Sequence, residues 1–133
     1  MKVVFACVHN AGRSQMAAAF FNQFADPAKA QAVSAGTQPA DKVHDCVLDA
    51  MKQARIDLAG VKPQLLTHEL AAGADLLVTM GCGEACPYVP GLKRDDWPVP
   101  DPQGKSDDEV RQIRDEIRNR VLKLLQGMNA TNC

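Results

Sequence analysis

The sequence predicts an α/β fold: a three-layer sandwich with a central four-stranded parallel sheet between layers of helix. Three observations lead there. Apolar runs of strand length, such as KVVFA near the start and LLVTM in the middle, alternate with segments whose apolar residues recur at helical spacing. Strand and helix in alternation imply right-handed crossovers, which make neighbouring strands parallel and cover both sheet faces. Finally, three loops of unusual chemistry leave predicted strands at their carboxyl ends, where open parallel sheets hold ligands.

Residues 2–6 form the first predicted strand, followed by a turn and a helix over residues 14–24 with Ser14 as its N-cap. Residues 31–35 read as a second strand closed by Gly36. In residues 43–54, Val43, Val47, Ala50, Met51 and Ala54 share one helical face, with Cys46 beside it. A short helix over 67–72 precedes an apolar third strand, 76–80, which ends at Gly81. The stretch GCGEACPYVPG is loop, a weaker fourth strand lies within residues 93–99, and the corner WPVPDP is too rich in proline for regular helix. Ser106 and Glu109 form a capping box, after which Val110, Ile113, Ile117, Val121 and Leu124 make the apolar stripe of a closing helix.

The chain has 133 residues, 46% of them hydrophobic, enough for one core, so a single domain over 1–133 is expected. A net charge of -1 provides no global field for nucleic acid or a membrane surface, and any anion site must be local. No run reaches the ~18 apolar residues of a membrane helix, and the first residues lack a cleavage pattern. A cytoplasmic protein is expected. In a reducing compartment Cys7, Cys46, Cys82, Cys86 and Cys133 read as catalytic, redox, metal-binding or core groups rather than structural disulfides.

The stretch CVHNAGRS sets the pattern C-x5-R at a strand end. This spacing lets a loop curl around a tetrahedral oxyanion, with amides of Asn10, Ala11, Gly12, Arg13 and Ser14 facing it at a helix N-terminus. Asn10 tolerates left-handed backbone, Gly12 eases the tightest part, and Ser14 can point its hydroxyl at the sulfur. Arg13 presents a planar fork to two oxygens of the anion. The same amides, the helix dipole and Arg13 favour the thiolate of Cys7, a nucleophile facing the oxyanion. Asp101 stands in a proline-fixed corner where a carboxyl can be held over that loop.

With these residues quoted, the chain resembles the low-molecular-weight phosphatase fold and the arsenate reductases built on it. CVHNAGRSQMA and TMGCGEACP are most similar to the reductases. The resemblance implies Cys7 as nucleophile, Arg13 as anion clamp and Asp101 as general acid. It implies a relay in which Cys82 attacks the sulfur of Cys7 and Cys86 then closes a disulfide with Cys82. It further implies no tightly bound cofactor and an external thiol reductant, thioredoxin, or mycothiol or glutathione with a redoxin. Relatives coupled to thioredoxin often have Cys where Gly12 stands and an acidic residue near Ala18 that helps bind potassium; this chain has neither.

Other readings compete. A phosphatase acting on phosphate monoesters needs only Cys7, Arg13 and an acid, whereas the Cys82 and Cys86 pair also suits a thiol-based arsenite or metal sensor. Gln103 and Gly104 after the Asp-Pro pair, where phosphotyrosine enzymes carry aromatic residues, favour arsenate, a small oxyanion. C-x3-C is a single pair, and His9, His44 and His68 add no second pair, so no zinc site is expected. Cys46 reads as core, Cys133 as tail, and His9 as loop surface. Trp97 and Tyr88 read as packing residues.

Overall fold

The computed structural model describes residues 1–81 and 90–128. Its strands are β1 (Lys2–Cys7), β2 (Gln31–Gly36), β3 (Leu76–Thr79) and β4 (Lys93–Asp96). Its helices are α1 (Arg13–Phe24), α2 (Asp45–Gln53), α3 (His68–Ala72) and α4 (Asp107–Met128). The strands form one all-parallel sheet in the order β2-β1-β3-β4. The α/β architecture read from the sequence is therefore the observed one.

Period-two alternation in β1 divides the core. Val3, Phe5 and Cys7 join a large cluster with α1, α2 and α4, whereas Val4 and Ala6 join a smaller one with Leu66, Ala71 and Leu77 on the other face. Phe5 anchors the larger layer, with Phe21 at 5.9 Å and Trp97 at 5.5 Å between ring centroids. The β4 edge is KRDD, exposed throughout, a charged border that discourages pairing with another sheet.

Register decides where the loops meet. Cys7 pairs with Gly36, Ala6 with Thr79, and Thr79 with Asp96, so all four strands end at one edge of the sheet. The loop after β1, the segment after β3 and the proline corner after β4 leave from that edge.

Several element boundaries differ from expectation. Ser14 is not an N-cap: α1 starts at Arg13, Gly12 occupies the cap position, and no side chain caps it. The Ser14 hydroxyl is engaged elsewhere, as described below. Helix α2 begins at Asp45 rather than residue 43, because the His44 amide is held by the carbonyl of Ala11. In α4 the fully buried stripe ends on Leu125 and not Leu124, which packs only partly against the core. By contrast, the Ser106 and Glu109 capping box forms as read, and Thr67 caps α3 by accepting from the Leu70 amide at 3.0 Å.

Two stability outcomes follow from this packing. Ile117 of α4 is fully buried in the larger core cluster, so Ile117→Ala is expected to cost about 3 kcal/mol in urea unfolding. Ser106→Ala removes a true cap and is expected to cost about 1 kcal/mol by the same measurement.

Candidate active site

Cys7 is the last residue of β1 and is almost fully buried. After it the chain makes a loop whose carbonyls are all occupied. Thr37 N–H donates to the carbonyl of Cys7, Gln38 to Val8, Ala40 to His9, His44 to Ala11 and Met16 to Gly12, while the Gln15 side chain donates to the carbonyl of Asn10. A trans peptide points its C=O and following N–H in opposite directions. The N–H groups of residues 8–12 are thus turned away from these partners, and none has an acceptor among the described residues. Asn10 takes the left-handed turn at φ 51°, as its residue type allows.

Gly12 plays a different part from the one expected. Its φ is -147°, outside the left-handed region, and a β-carbon there would lie 3.0 Å from Cγ of Pro102. The missing side chain lets the proline corner close over the loop. Gly36, read from the sequence only as a strand stop, is equally restricted: a β-carbon would stand 2.6 Å from the Val8 carbonyl oxygen. This contact brings the end of β2 against the loop.

A side-chain chain leads to the sulfur. The Gln64 backbone N–H donates to Oδ1 of Asn10 at 2.9 Å, and Nε2 of Gln15 donates to the same oxygen at 3.1 Å. Nδ2 of Asn10 then donates to Oγ of Ser14 at 2.8 Å, and Oγ lies 2.9 Å from Sγ of Cys7. Because a backbone N–H can only donate, it identifies Oδ1, and the other amide atom must be the donor to Ser14. With Asn10 as a donor to Oγ, the Ser14 hydroxyl proton is free to point at the sulfur, and does so whenever Cys7 is the thiolate. Asn10, Ser14 and Gln15 are all buried.

Arg13 opens α1, the one described helix without an acidic residue in its first turn; Asp45, Glu69 and the run Asp107 to Glu109 occupy the corresponding turns of the others. Its positive end is therefore not neutralised by its own carboxylates. The guanidinium Nη1 donates to the carbonyl of Val99 at 3.0 Å, and Nη2 lies 3.9 Å from Oδ2 of Asp101. Gly81, at φ 93°, lies beneath it: a β-carbon there would be 2.6 Å from Nη1. Arg13 thus joins the first loop, the end of β3 and the proline corner.

Among the acids of that corner only Asp101 faces Arg13. Its Oδ1 accepts the Gln103 N–H at 3.0 Å, a turn contact that fixes the carboxylate. Asp95 accepts from the Trp97 indole, and Asp96 accepts from the Thr79 hydroxyl. Trp97 is buried, in keeping with a packing role. His9 is exposed, its Nδ1 3.1 Å from the Gln38 carbonyl. Cys46 is only half-buried, at a hollow of about 440 Å³ bordered by α2 and α4, and burial pushes its thiol up. Cys82, Cys86, Tyr88 and Cys133 lie outside the described residues. Gln15, Gln64 and Val99 have no role in the sequence reading, and Gly36 only that of a strand stop; the one local signal is the polar Gln15 just before the apolar, buried stretch of α1.

The arrangement is a thiol at a strand end, a ring of outward-tied carbonyls, an open helix N-terminus and an arginine beside a carboxylate. Such a site can hold a tetrahedral oxyanion against a nucleophile. No helix among the described residues is long and apolar enough to cross a membrane.

Known proteins share this layout. The model of the family "low molecular weight phosphotyrosine protein phosphatase" matches residues 2–85. An arsenate reductase of Bacillus cereus is 35% identical over 123 residues, which cover 90% of each chain. The solved thioredoxin-dependent arsenate reductase of Corynebacterium glutamicum superposes with a TM-score of 0.82 at 34% identity, covering 96% of this chain and 61% of that longer one. An arsenate reductase of Archaeoglobus fulgidus gives 0.79 at 31% identity, with 93% and 98% covered. The chain belongs to the low molecular weight phosphotyrosine protein phosphatase family, in the branch that contains the arsenate reductases.

Proposed function

We propose that the protein reduces arsenate to arsenite, with Cys7 as nucleophile. The observation that carries this reading is the loop of outward-tied carbonyls around Cys7 at the uncompensated start of α1, with Arg13 beside it. Amides of residues 10–14 and Arg13 hold the oxyanion. Cys7 sulfur attacks arsenic(V), and Asp101 gives a proton to the oxygen that departs as water. A second thiol then attacks the Cys7 sulfur. The arsenic–sulfur electron pair stays on arsenic, which leaves as arsenite, and two thiols become one disulfide.

Cys82 supplies that second thiol and Cys86 takes over the bond, so the oxidised protein carries a Cys82 to Cys86 disulfide. The support is their place in the segment following Gly81, which touches Arg13. The thioredoxin dependence of the Corynebacterium relative favours thioredoxin as the external reductant over mycothiol or glutathione with a redoxin. The family's phosphatase name favours a second reading, hydrolysis of phosphate monoesters through the same Cys7 and Arg13.

One assay separates the readings: arsenate-dependent NADPH oxidation coupled to thioredoxin and its reductase, run beside small-thiol systems and an aryl phosphate. Turnover with arsenate is expected; none with any donor refutes reductase activity, and aryl phosphate hydrolysis alone establishes the phosphatase. Cys7→Ser is expected to abolish turnover, because a hydroxyl is not ionised at neutral pH.

Asp101→Asn is expected to slow formation of the arsenic–Cys7 adduct about 100-fold in rapid-mixing experiments, with oxyanion affinity nearly kept. An unchanged first step removes Asp101 from the chemistry.

For the relay, Cys86→Ser is expected to perform one turnover and stop as a Cys7 to Cys82 disulfide, located by mass spectrometry after alkylation and digestion. Cys82→Ser is expected to attack arsenate and stall. Normal turnover of both variants with a small thiol and redoxin would mean that the external thiol attacks the adduct directly.

A further inference from the structure

We infer that Gln15 is a positioning residue for the Cys7 nucleophile, acting through Asn10 and Ser14. The inference rests on the reading of Cys7 as nucleophile given above. Gln15 is the third residue of α1, 4% exposed, with its carboxamide folded back under the loop and away from solvent. Nε2 donates twice to one residue: to the Asn10 carbonyl at 3.0 Å and to its Oδ1 at 3.1 Å. An amide spent twice on one neighbour constrains that neighbour's backbone and side chain together.

Two consequences follow. The Asn10 carbonyl is the one carbonyl in the 7–12 run whose partner is a side chain; backbone N–H groups hold the rest. Substitution of Gln15 therefore releases this peptide alone. The bond to Oδ1 also settles which way the Asn10 amide faces. With Oδ1 held by Gln15 and the Gln64 N–H, Nδ2 must donate to Ser14, which leaves the Ser14 proton free to donate to the sulfur of the Cys7 thiolate. Without Gln15 only the Gln64 N–H opposes rotation of that amide. If Asn10 rotates, Oδ1 accepts the Ser14 proton and the sulfur loses its donor.

Gln15 is too far along this chain to touch substrate, so its effect is on how readily Cys7 reacts and not on which oxyanion is bound. A core polar residue kept only for folding would alter stability and leave the reactivity of Cys7 unchanged.

The test uses the full chain without arsenate. Alkylation of Cys7 by iodoacetamide is timed at pH 6 and pH 9, with peptide mapping to separate it from the other four cysteines, for the unaltered protein, Gln15→Met, Ser14→Ala and the double variant. Thermal unfolding is recorded in parallel. Gln15→Met is expected to alkylate about fivefold more slowly at pH 6, the effect of one net hydrogen bond, with the difference shrinking at pH 9. The double variant is expected to be no slower than Ser14→Ala, because both changes break the same chain. An alkylation rate like that of the unaltered protein at pH 6, or effects that multiply in the double variant, overturns the inference.

A second measurement does not depend on a variant folding. In the isotopically labelled unaltered protein, the side-chain amide signals of Asn10 and Gln15 are expected to shift with the same pH midpoint as Cys7 alkylation; amide signals flat across that midpoint overturn the inference. Alkylation involves no arsenic. Failure to reduce arsenate with every donor would refute the proposed reaction and leave this result standing, whereas normal reduction with unaltered Cys7 reactivity in Gln15→Met would do the reverse.

Discussion

The first loop is shaped through its carbonyl oxygens. Five of the six from Cys7 to Gly12 accept backbone N–H groups, and four of those donors belong to residues 37–44, the chain that follows β2. Since β2 is paired with β1 up to Cys7 and Gly36, the ladder that builds the sheet also delivers the segment that pins the loop. Everything on the reactive side depends on this: carbonyls tied outward leave amides free inward, and a row of amides is what an oxyanion needs.

The charge arrangement is local. The chain as a whole is close to neutral, and β4 and α4 carry many acidic groups, yet the first turn of α1 has none. Arg13 sits there instead, held by the Val99 carbonyl and by contact with Gly81. An arginine held in this way loses less side-chain freedom on binding than one free in solvent. It also makes the proline corner and the end of β3 neighbours of the loop, so the general acid candidate and the segment leading to Cys82 both border on one guanidinium.

Buried polar groups near Cys7 form a satisfied network rather than isolated contacts. Asn10 uses its carbonyl, Oδ1 and Nδ2 on protein partners. In a low-dielectric interior such a network is costly to leave half-made, and this rigidifies the residues around the sulfur. At Cys46, half-buried on α2, burial outweighs the backbone hydrogen bonds from the Val47 and Cys46 amides and pushes the thiol up.

The sequence by itself determined the α/β class, the four strands, the short and long amphipathic helices and the C-x5-R loop. Period, capping box and proline corner are local signals, and they report through neighbouring residues. Asn10 was legible for the same reason, since its left-handed turn is a property of residue type. Only the tertiary structure decided that Ser14 does not also cap the helix, that Gly12 and Gly36 are needed for close approach rather than for turning, and that the Asp101 carboxylate lies beside Arg13. It likewise brought Gln15, Gln64 and Val99 to the loop. The partners lie from 5 positions apart, for Asn10 and Gln15, to 90, for Gly12 and Pro102, and such pairings follow from strand register and packing, which no local pattern encodes.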